Sequence, residues 1–474
     1  MKQATIWVSA LILALARCAV NPVTGERELS LFSEQQEIAL GAQTDAEIRQ
    51  QYGLYEDAAL NAYVESVGKK IAPLTHRPQL EYHFAVLDTP VINAFAVPGG
   101  YIYVTRGILA LMQSEAEMAV VLGHELGHVN ARHSLRRMSQ VLLVQAGLAV
   151  GSALSETFAQ ISGVASVGMQ LLFLKYSRDD EYQADSLGIE YARKAGYNPG
   201  PMINFFASLE KMGDLSGGRS LPGFLSTHPL TKDRIARARQ MLVDTDAALA
   251  YKDKPYLQKI DGVVYGDDPR QGYVEGRAFY HPGLAFAFDI PEGWTVQNTP
   301  AQVALVSKDQ KGALVLQAEK TADSLPEYAS KRAASLKERR FVGEDRLHVS
   351  GFSSYHQTYD IVRENGSSLR IRLSFIRKGE FIYTFSALSA SLDFGRFDPL
   401  FRQSVQSFAE LRDPAHLRRQ PVRLRLLVAD GKQTLQEVFA RVGMQKEVWP
   451  QFAILNGLEL GATPPAGQFL KVAR

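Results

Sequence analysis

The segment AVVLGHELGHVNARH, residues 119–133, constrains this chain more than any other stretch. Val120, Val121 and Leu122 demand burial, so the helix they imply belongs in a core, yet it carries His124, Glu125, His128 and His133. Histidines four apart on a helix lie one turn above each other, so His124 and His128 can aim ring nitrogens at one point. Glu125 is turned about a hundred degrees from His124, close enough to reach a water at that point without being a ligand. A buried pair of imidazoles needs a partner, and a metal ion is one that both can share. An ordinary amphipathic helix would account for the apolar residues but not for the pair. His133, five residues past His128, is rotated off the ligand face and reads as structural or as a support for a ligand.

Two histidines and a water leave a zinc ion one protein donor short of its tetrahedral set. Downstream, YSRDDEYQADSLGIEYARKAGYNP (residues 176–199) places Glu181, Asp185, Ile189 and Ala192 on one helical face, with Gly196 and Pro199 ending the helix. A carboxylate there, with a second one turn away, suits a ligand plus a group that orients a ligating histidine. Upstream, NAFAVPGGYIYVTRGIL (residues 93–109) alternates apolar residues around a Gly-Gly turn and predicts a hairpin. Its first strand, with Asn93, Ala94, Phe95 and Ala96, is a candidate edge for pairing with an extended substrate peptide; the alternative is a hairpin that only packs the core. His228 precedes a proline and is expected in an extended or turn conformation that can project into a cleft.

HELGHVNARH followed by SRDDEYQAD resembles the HtpX/BepA-type zinc endopeptidases, a group related to the CAAX prenyl endopeptidases. The likeness extends to VINAFAVPGGYIYVTRGIL (residues 91–109) and STHPLTKDRI (residues 226–235), and so takes in most of residues 30–240. It implies an HExxH zinc metallopeptidase that holds one Zn2+ through His124, His128 and Glu181, with Asp185 behind a ligating histidine and Glu125 as general base. It also implies that His228 and Arg234 belong to the active site, His228 either binding the tetrahedral intermediate or filling the fourth zinc position at rest. The reaction would be hydrolysis of peptide bonds in protein or peptide substrates, misfolded or misassembled envelope proteins among them. The competing class is a chaperone-like or peptidoglycan-associated binding protein with a latent or vestigial metal site. Such a protein would be free to lose Glu125, whereas this chain keeps base, ligands and support together.

The remaining sequence bears on location and organisation. MKQATIWVSALILALARC has a lysine, an apolar run over residues 4–16 too short to span a bilayer, and the only cysteine, Cys18. Residues 1–18 therefore read as a signal peptide, and the expected location is the periplasm of a Gram-negative bacterium. The cysteine after LAR resembles a lipobox, which makes Cys18 a candidate lipid anchor to the outer membrane, although Arg17 departs from the small residue usual there. One cysteine excludes an intramolecular disulfide framework. With 474 residues, 46% hydrophobic, and a formal net charge of +2, the chain has material for several cores and no charge excess suited to nucleic acid.

The fold class expected is α+β. Residues 25–245 would form a mainly helical zincin-type catalytic domain with a small β-hairpin. Within it, VLLVQAGLAVGSALSETFAQISGVASVGMQLLFL (residues 141–174) reads as one or two strongly apolar helices, and GDLSGGRSLPGFLSTHPLTKDR (residues 213–234) as a loop that carries His228. Residues 246–269, rich in Asp, Lys and Gly, read as a linker, and residues 270–412 as an α+β accessory domain with alternating strands. The scattered His281, His348 and His356 form no catalytic constellation, and no tetratricopeptide repeat is present there. Residues 420–474 have the strand-helix-helix-strand order of a LysM module and resemble one loosely, which implies N-acetylglucosamine glycans, hence peptidoglycan, as a candidate partner.

Overall fold

The computed structural model describes residues 17–147, 175–215, 223–229, 232–336, 338–345, 347–362 and 368–474. The leader's apolar run, residues 148–174 of the long apolar segment and residues 216–222 and 230–231 of the His228 loop lie outside the described residues. Among the described residues no helix is long and apolar enough to cross a membrane.

Strands β1 (Arg17–Val20) and β2 (Arg27–Ser30) form an antiparallel hairpin, followed by helices α1 (Glu34–Tyr52) and α2 (Ala58–Ile71). A three-stranded sheet comes next, built from β3 (His83–Leu87), β4 (Ala94–Val97) and β5 (Tyr101–Thr105) in the order β3-β5-β4. The expected hairpin forms: β4 and β5 pair antiparallel with Ala94 opposite Val104, and the turn between them needs left-handed backbone at Gly99 (φ 79°) and Gly100 (φ 93°). The order leaves β4 at an edge, packed against the histidine-bearing helix.

The helices α3 (Arg106–Leu111), α4 (Glu115–Asn130), α5 (His133–Gly147), α6 (Arg178–Lys194), α7 (Met202–Leu215), α8 (Phe224–Thr227), α9 (Lys232–Met241) and α10 (Asp253–Ile260) complete this part of the chain. Helix α4 starts at Ser114, whose hydroxyl accepts the Glu117 N–H at 3.1 Å, and all of its residues are buried. Helix α6 starts in a capping box between Ser177 and Asp180 and carries three acidic residues in its first turn, which complements the helix dipole. The two helices touch backbone to backbone. A Cβ on Gly123 would stand 3.0 Å from the Gly188 carbonyl oxygen, and one on Gly188 would stand 3.0 Å from the His124 nitrogen. Small residues at the crossing thus bring His124 and His128 within reach of Glu181 and Asp185. Residues 246–269, expected to be a linker, include α10, and Tyr256, Leu257, Ile260, Val263 and Val264 lie in the same core as α4.

The next section contains β6 (Tyr273–Glu275), β7 (Ala278–His281), β8 (Phe286–Asp289), β9 (Thr295–Thr299), β10 (Gln302–Val306), β11 (Gly312–Lys320), helix α11 (Leu325–Ala334), β12 (Arg339–Asp345), β13 (Ser354–Val362), β14 (Ser368–Lys378), β15 (Phe381–Ala390), helix α12 (Phe394–Gln406) and β16 (Ala409–Glu410). Seven strands pair antiparallel in the order β12-β13-β14-β15-β11-β10-β9, and four more in the order β16-β8-β7-β6. Phe279, Phe286, Phe288, Phe385 and Phe401 fill one face of the large sheet, and Tyr328, Ala329 and Phe375 pack the other beneath α11. The α+β expectation holds.

The tail runs β17 (Leu424–Val428), α13 (Leu435–Arg441), α14 (Trp449–Leu455) and β18 (Phe469–Ala473), with β17 and β18 antiparallel. Leu424, Phe439, Phe452, Leu470 and Val472 share one continuous core with α2, α4 and α7. The seam also has polar ties. Lys471, buried, donates from Nζ to the carbonyls of Ala110 (2.8 Å) and Met112 (2.5 Å) at the end of α3, and Gln113 donates to the Leu455 carbonyl.

Candidate metal centre

His124, His128, Glu181 and His228 each offer one donor atom within 4.8 Å of all the others, and all four side chains are buried. His124 Nε2 lies 3.0 Å from His128 Nε2, 3.7 Å from Glu181 Oε2 and 3.4 Å from His228 Nδ1, while His128 Nε2 lies 3.6 Å from Glu181 Oε1. Ligands about 2.0–2.1 Å from a tetrahedral zinc stand about 3.3 Å from one another. The observed spacings bracket that value.

Hydrogen bonding behind the histidines fixes which nitrogen faces inward. His124 Nδ1 is 3.0 Å from Asp185 Oδ1, and a carboxylate only accepts, so the ring proton sits on Nδ1 and a neutral ring leaves Nε2 bare. His133 Nε2 is 2.8 Å from the Gln183 amide oxygen, so His133 carries its proton there and its Nδ1 accepts from His128 Nδ1 at 2.8 Å. Burial pulls His133 down to about 3, which keeps it neutral and able to accept. His128 Nε2 is therefore bare as well. Two bare imidazole nitrogens 3.0 Å apart, among buried residues, repel unless a cation lies between them. The donor set fits one zinc ion.

Glu125 is fully buried beside this cluster, its Oε1 3.7 Å from His228 Nε2, and both of its carboxylate oxygens lack a hydrogen-bond partner. Burial pushes Glu125 above the usual carboxylate range against the pull of His228 and His124. Burial pulls His128 well below the ordinary histidine value, helped by its histidine neighbours. Burial opposes the charged forms of Glu181, Asp185 and His228 too, but opposite charges outweigh it. His228 and Arg234 hold Glu181 low, Arg234 holds Asp185 low, and Glu181 with Glu125 holds His228 high.

The structure gathers the sequence candidates unequally. Arg234, buried on α9, donates to both Asp185 oxygens at 2.7 Å, to the Pro229 carbonyl at 3.2 Å, and pairs with Glu181 Oε2 at 2.7 Å. It clamps Asp185 and Glu181 from behind. Asn93 precedes β4; its backbone exchanges hydrogen bonds with Thr105 and its Oδ1 is buried without a partner, while Ala94 and Ala96 are buried in the core shared with α4 and Phe95 packs on the other face of the sheet with Ile48 and Tyr103. Sequence reading missed Gln183 and Tyr176, whose ring stacks on His128 with centroids 3.9 Å apart. The signal for both was their place in the same YSRDDEYQAD run; neither position is set by helical spacing from the ligands.

A family model for Peptidase family M48 matches residues 58–242, from α2 through α9. Among known proteins, the beta-barrel assembly-enhancing protease of Yersinia pestis is 30% identical over 46% of this chain, and the match spans 46% of that protein. The mitochondrial metalloendopeptidase OMA1 of Arabidopsis thaliana is 33% identical over 39% of this chain and 36% of its own length, and metalloprotease YcaL of Escherichia coli is 31% identical over 34% and 62%. The alignment thus takes in less than half of the first of these relatives. Among solved structures, the cyanobacterial PsbP of Synechocystis matches 29% of the chain at 14% identity with a TM-score of 0.25, too slight to carry an argument. The matched segment holds every donor of the centre, and over residues 58–242 the chain is similar to Peptidase family M48.

Proposed function

We propose that this chain is a zinc-dependent endopeptidase of the bacterial cell envelope. The observation that carries the reading is the pair of inward-facing imidazole nitrogens beside Glu125, a buried carboxylate with both oxygens unpartnered. His124, His128 and Glu181 would hold the ion, which when bound supplies a Lewis acid able to polarise a carbonyl and acidify a water. Glu125 takes the water proton on a carboxylate oxygen and passes it to the leaving amine; its raised pKa suits that exchange. Asp185 and the His133–Gln183 pair keep the ligand rings in the required tautomer. Arg234 acts through Asp185 and Glu181 as a positioning residue.

The site as described is closed. His228 is fully buried, its Nδ1 2.8 Å from Glu181 Oε1, which supports a resting state in which the segment carrying it shields the centre. The alternative role for His228 is to donate to the tetrahedral intermediate. An extended substrate would lie along β4 at Asn93 to Ala96 by main-chain pairing. By likeness to relatives named for β-barrel assembly, the substrates are misassembled envelope proteins and the location is the periplasm. Cys18 remains a candidate lipid anchor, and the tail, with its strand-helix-helix-strand order, a candidate LysM-like glycan binder. The proposed units are residues 25–269 together with the tail at 420–474, which share one core, and residues 270–412.

The test pairs metal analysis with casein digestion. Glu125→Gln should keep one zinc per chain and lose hydrolysis, while Glu181→Ala should lose most of the zinc. Full proteolysis by Glu125→Gln would refute the mechanism. Zinc binding with no hydrolysis by wild type or by a variant opened at His228 would favour a binding protein with a silent site.

A further inference from the structure

An apolar pocket beside the metal donors has no task in the mechanism above. Its walls are Val120, Val121 and His124 of α4 with Met202, Phe205 and Phe206 of α7, and Phe224 of α8 closes it, leaving about 10 Å3 of free space. The one carboxylate in its wall, Glu117, turns an oxygen to the backbone N–H of Gln113 at 2.7 Å. The Phe224 ring packs with centroids 4.6 Å from His228 and 6.2 Å from both His124 and Phe205.

Phe224 arrives there as a bound peptide would. Its backbone N–H donates to the Ile92 carbonyl at 2.9 Å, just ahead of Asn93 and the edge strand β4. Gly223 makes that approach possible, with φ 139° and a position where a Cβ would stand 2.5 Å from the Ile92 oxygen. Four residues on, His228 meets the donors. A chain held at the strand edge, a large apolar side chain in a pocket against His124, and a polar group at the metal centre together outline how a substrate segment sits.

We infer that this pocket is the subsite for one of the two side chains flanking the scissile bond, and that it selects large apolar residues, aromatic ones above all. The inference rests on the peptidase reading and adds its substrate class: segments whose aromatic and aliphatic side chains are exposed, as in unfolded proteins. Transfer of such a side chain into an apolar pocket favours cleavage roughly tenfold to a hundredfold over glycine.

The experiment maps the bonds cut in denatured casein by the zinc-loaded full chain, as wild type and as Phe224→Ala, by mass spectrometry. Phe, Tyr, Leu or Met should be enriched at least tenfold at one flanking position, and Phe224→Ala should cut faster with the same preference. Independently of activity, Phe224→Ala should bind toluene with a rise in melting temperature that wild type lacks, because an emptied apolar cavity takes up an apolar guest. Cleavage without flanking preference, or no toluene effect, overturns the pocket assignment and leaves the peptidase reading standing. Zinc-loaded protein that cuts nothing in either form overturns the peptidase reading and the assignment with it.

Discussion

Lys471→Met is expected to destabilise the joint between the tail and helices α3 and α4 by about 1–3 kcal/mol, the balance of two lost charge-assisted hydrogen bonds and a recovered burial cost. The last carbonyls of a helix have no intrahelical donors, and in α3 those of Ala110 and Met112 receive the Lys471 ammonium. Two charge-assisted bonds at about 1.5–3 kcal/mol each are lost when methionine keeps the stem but not the charge. The burial cost of the ammonium, which pulls Lys471 well below the ordinary lysine value, is recovered and offsets part of that loss. Glu117, which burial pushes above the usual carboxylate range, would then lose the opposing charge of Lys471. Trp449, at the start of α14, provides a fluorescence reporter of urea unfolding once Trp7 and Trp294, the other two tryptophans of the sequence, are replaced by Phe. The double variant Lys471→Met/Glu117→Gln should regain about 1 kcal/mol or more relative to additivity. A loss under about 1 kcal/mol for the single variant would refute the view that this contact ties the tail to α3.

Asp185→Asn should weaken zinc affinity roughly tenfold to a hundredfold in a chelator competition, since it supports the His124 ring; unchanged affinity would remove that role. His228→Ala should raise basal casein hydrolysis if shielding dominates and lower it at unchanged zinc content if it serves the intermediate; unchanged activity would sink both. Burial pulls His281 down to about 4, so the unfolded chain binds a proton before the folded one does. Stability is therefore untouched above the unfolded value near 6.5 and falls by about 3 kcal/mol as pH drops from there to about 4. His281→Asn should flatten that acid limb in pH-dependent denaturation; an identical limb would exclude His281 as its source.

Local periodicity made the candidate metal donors legible. His124, Glu125 and His128 share one helix, Glu181 and Asp185 another, and each relation depends only on 3.6 residues per turn, which a sequence displays directly. The β4–β5 hairpin was legible for the same reason, because its Gly-Gly turn and alternation are contiguous. The crossing of α4 on α6 was not legible, although it decides whether the two halves meet, because contact through Gly123 and Gly188 depends on packing across residues far apart in the chain. Packing also decided that Arg234 turns to Asp185 and Glu181, that Gln183 holds His133, and that Phe224 fills the pocket beside His124. The strand order β12-β13-β14-β15-β11-β10-β9 and the burial of the tail in the core around α4 belong with these. Hydrophobic pattern tells which face of an element must be buried, but apolar burial is non-directional, so the choice of what buries it is made only when all the elements compete for the same core.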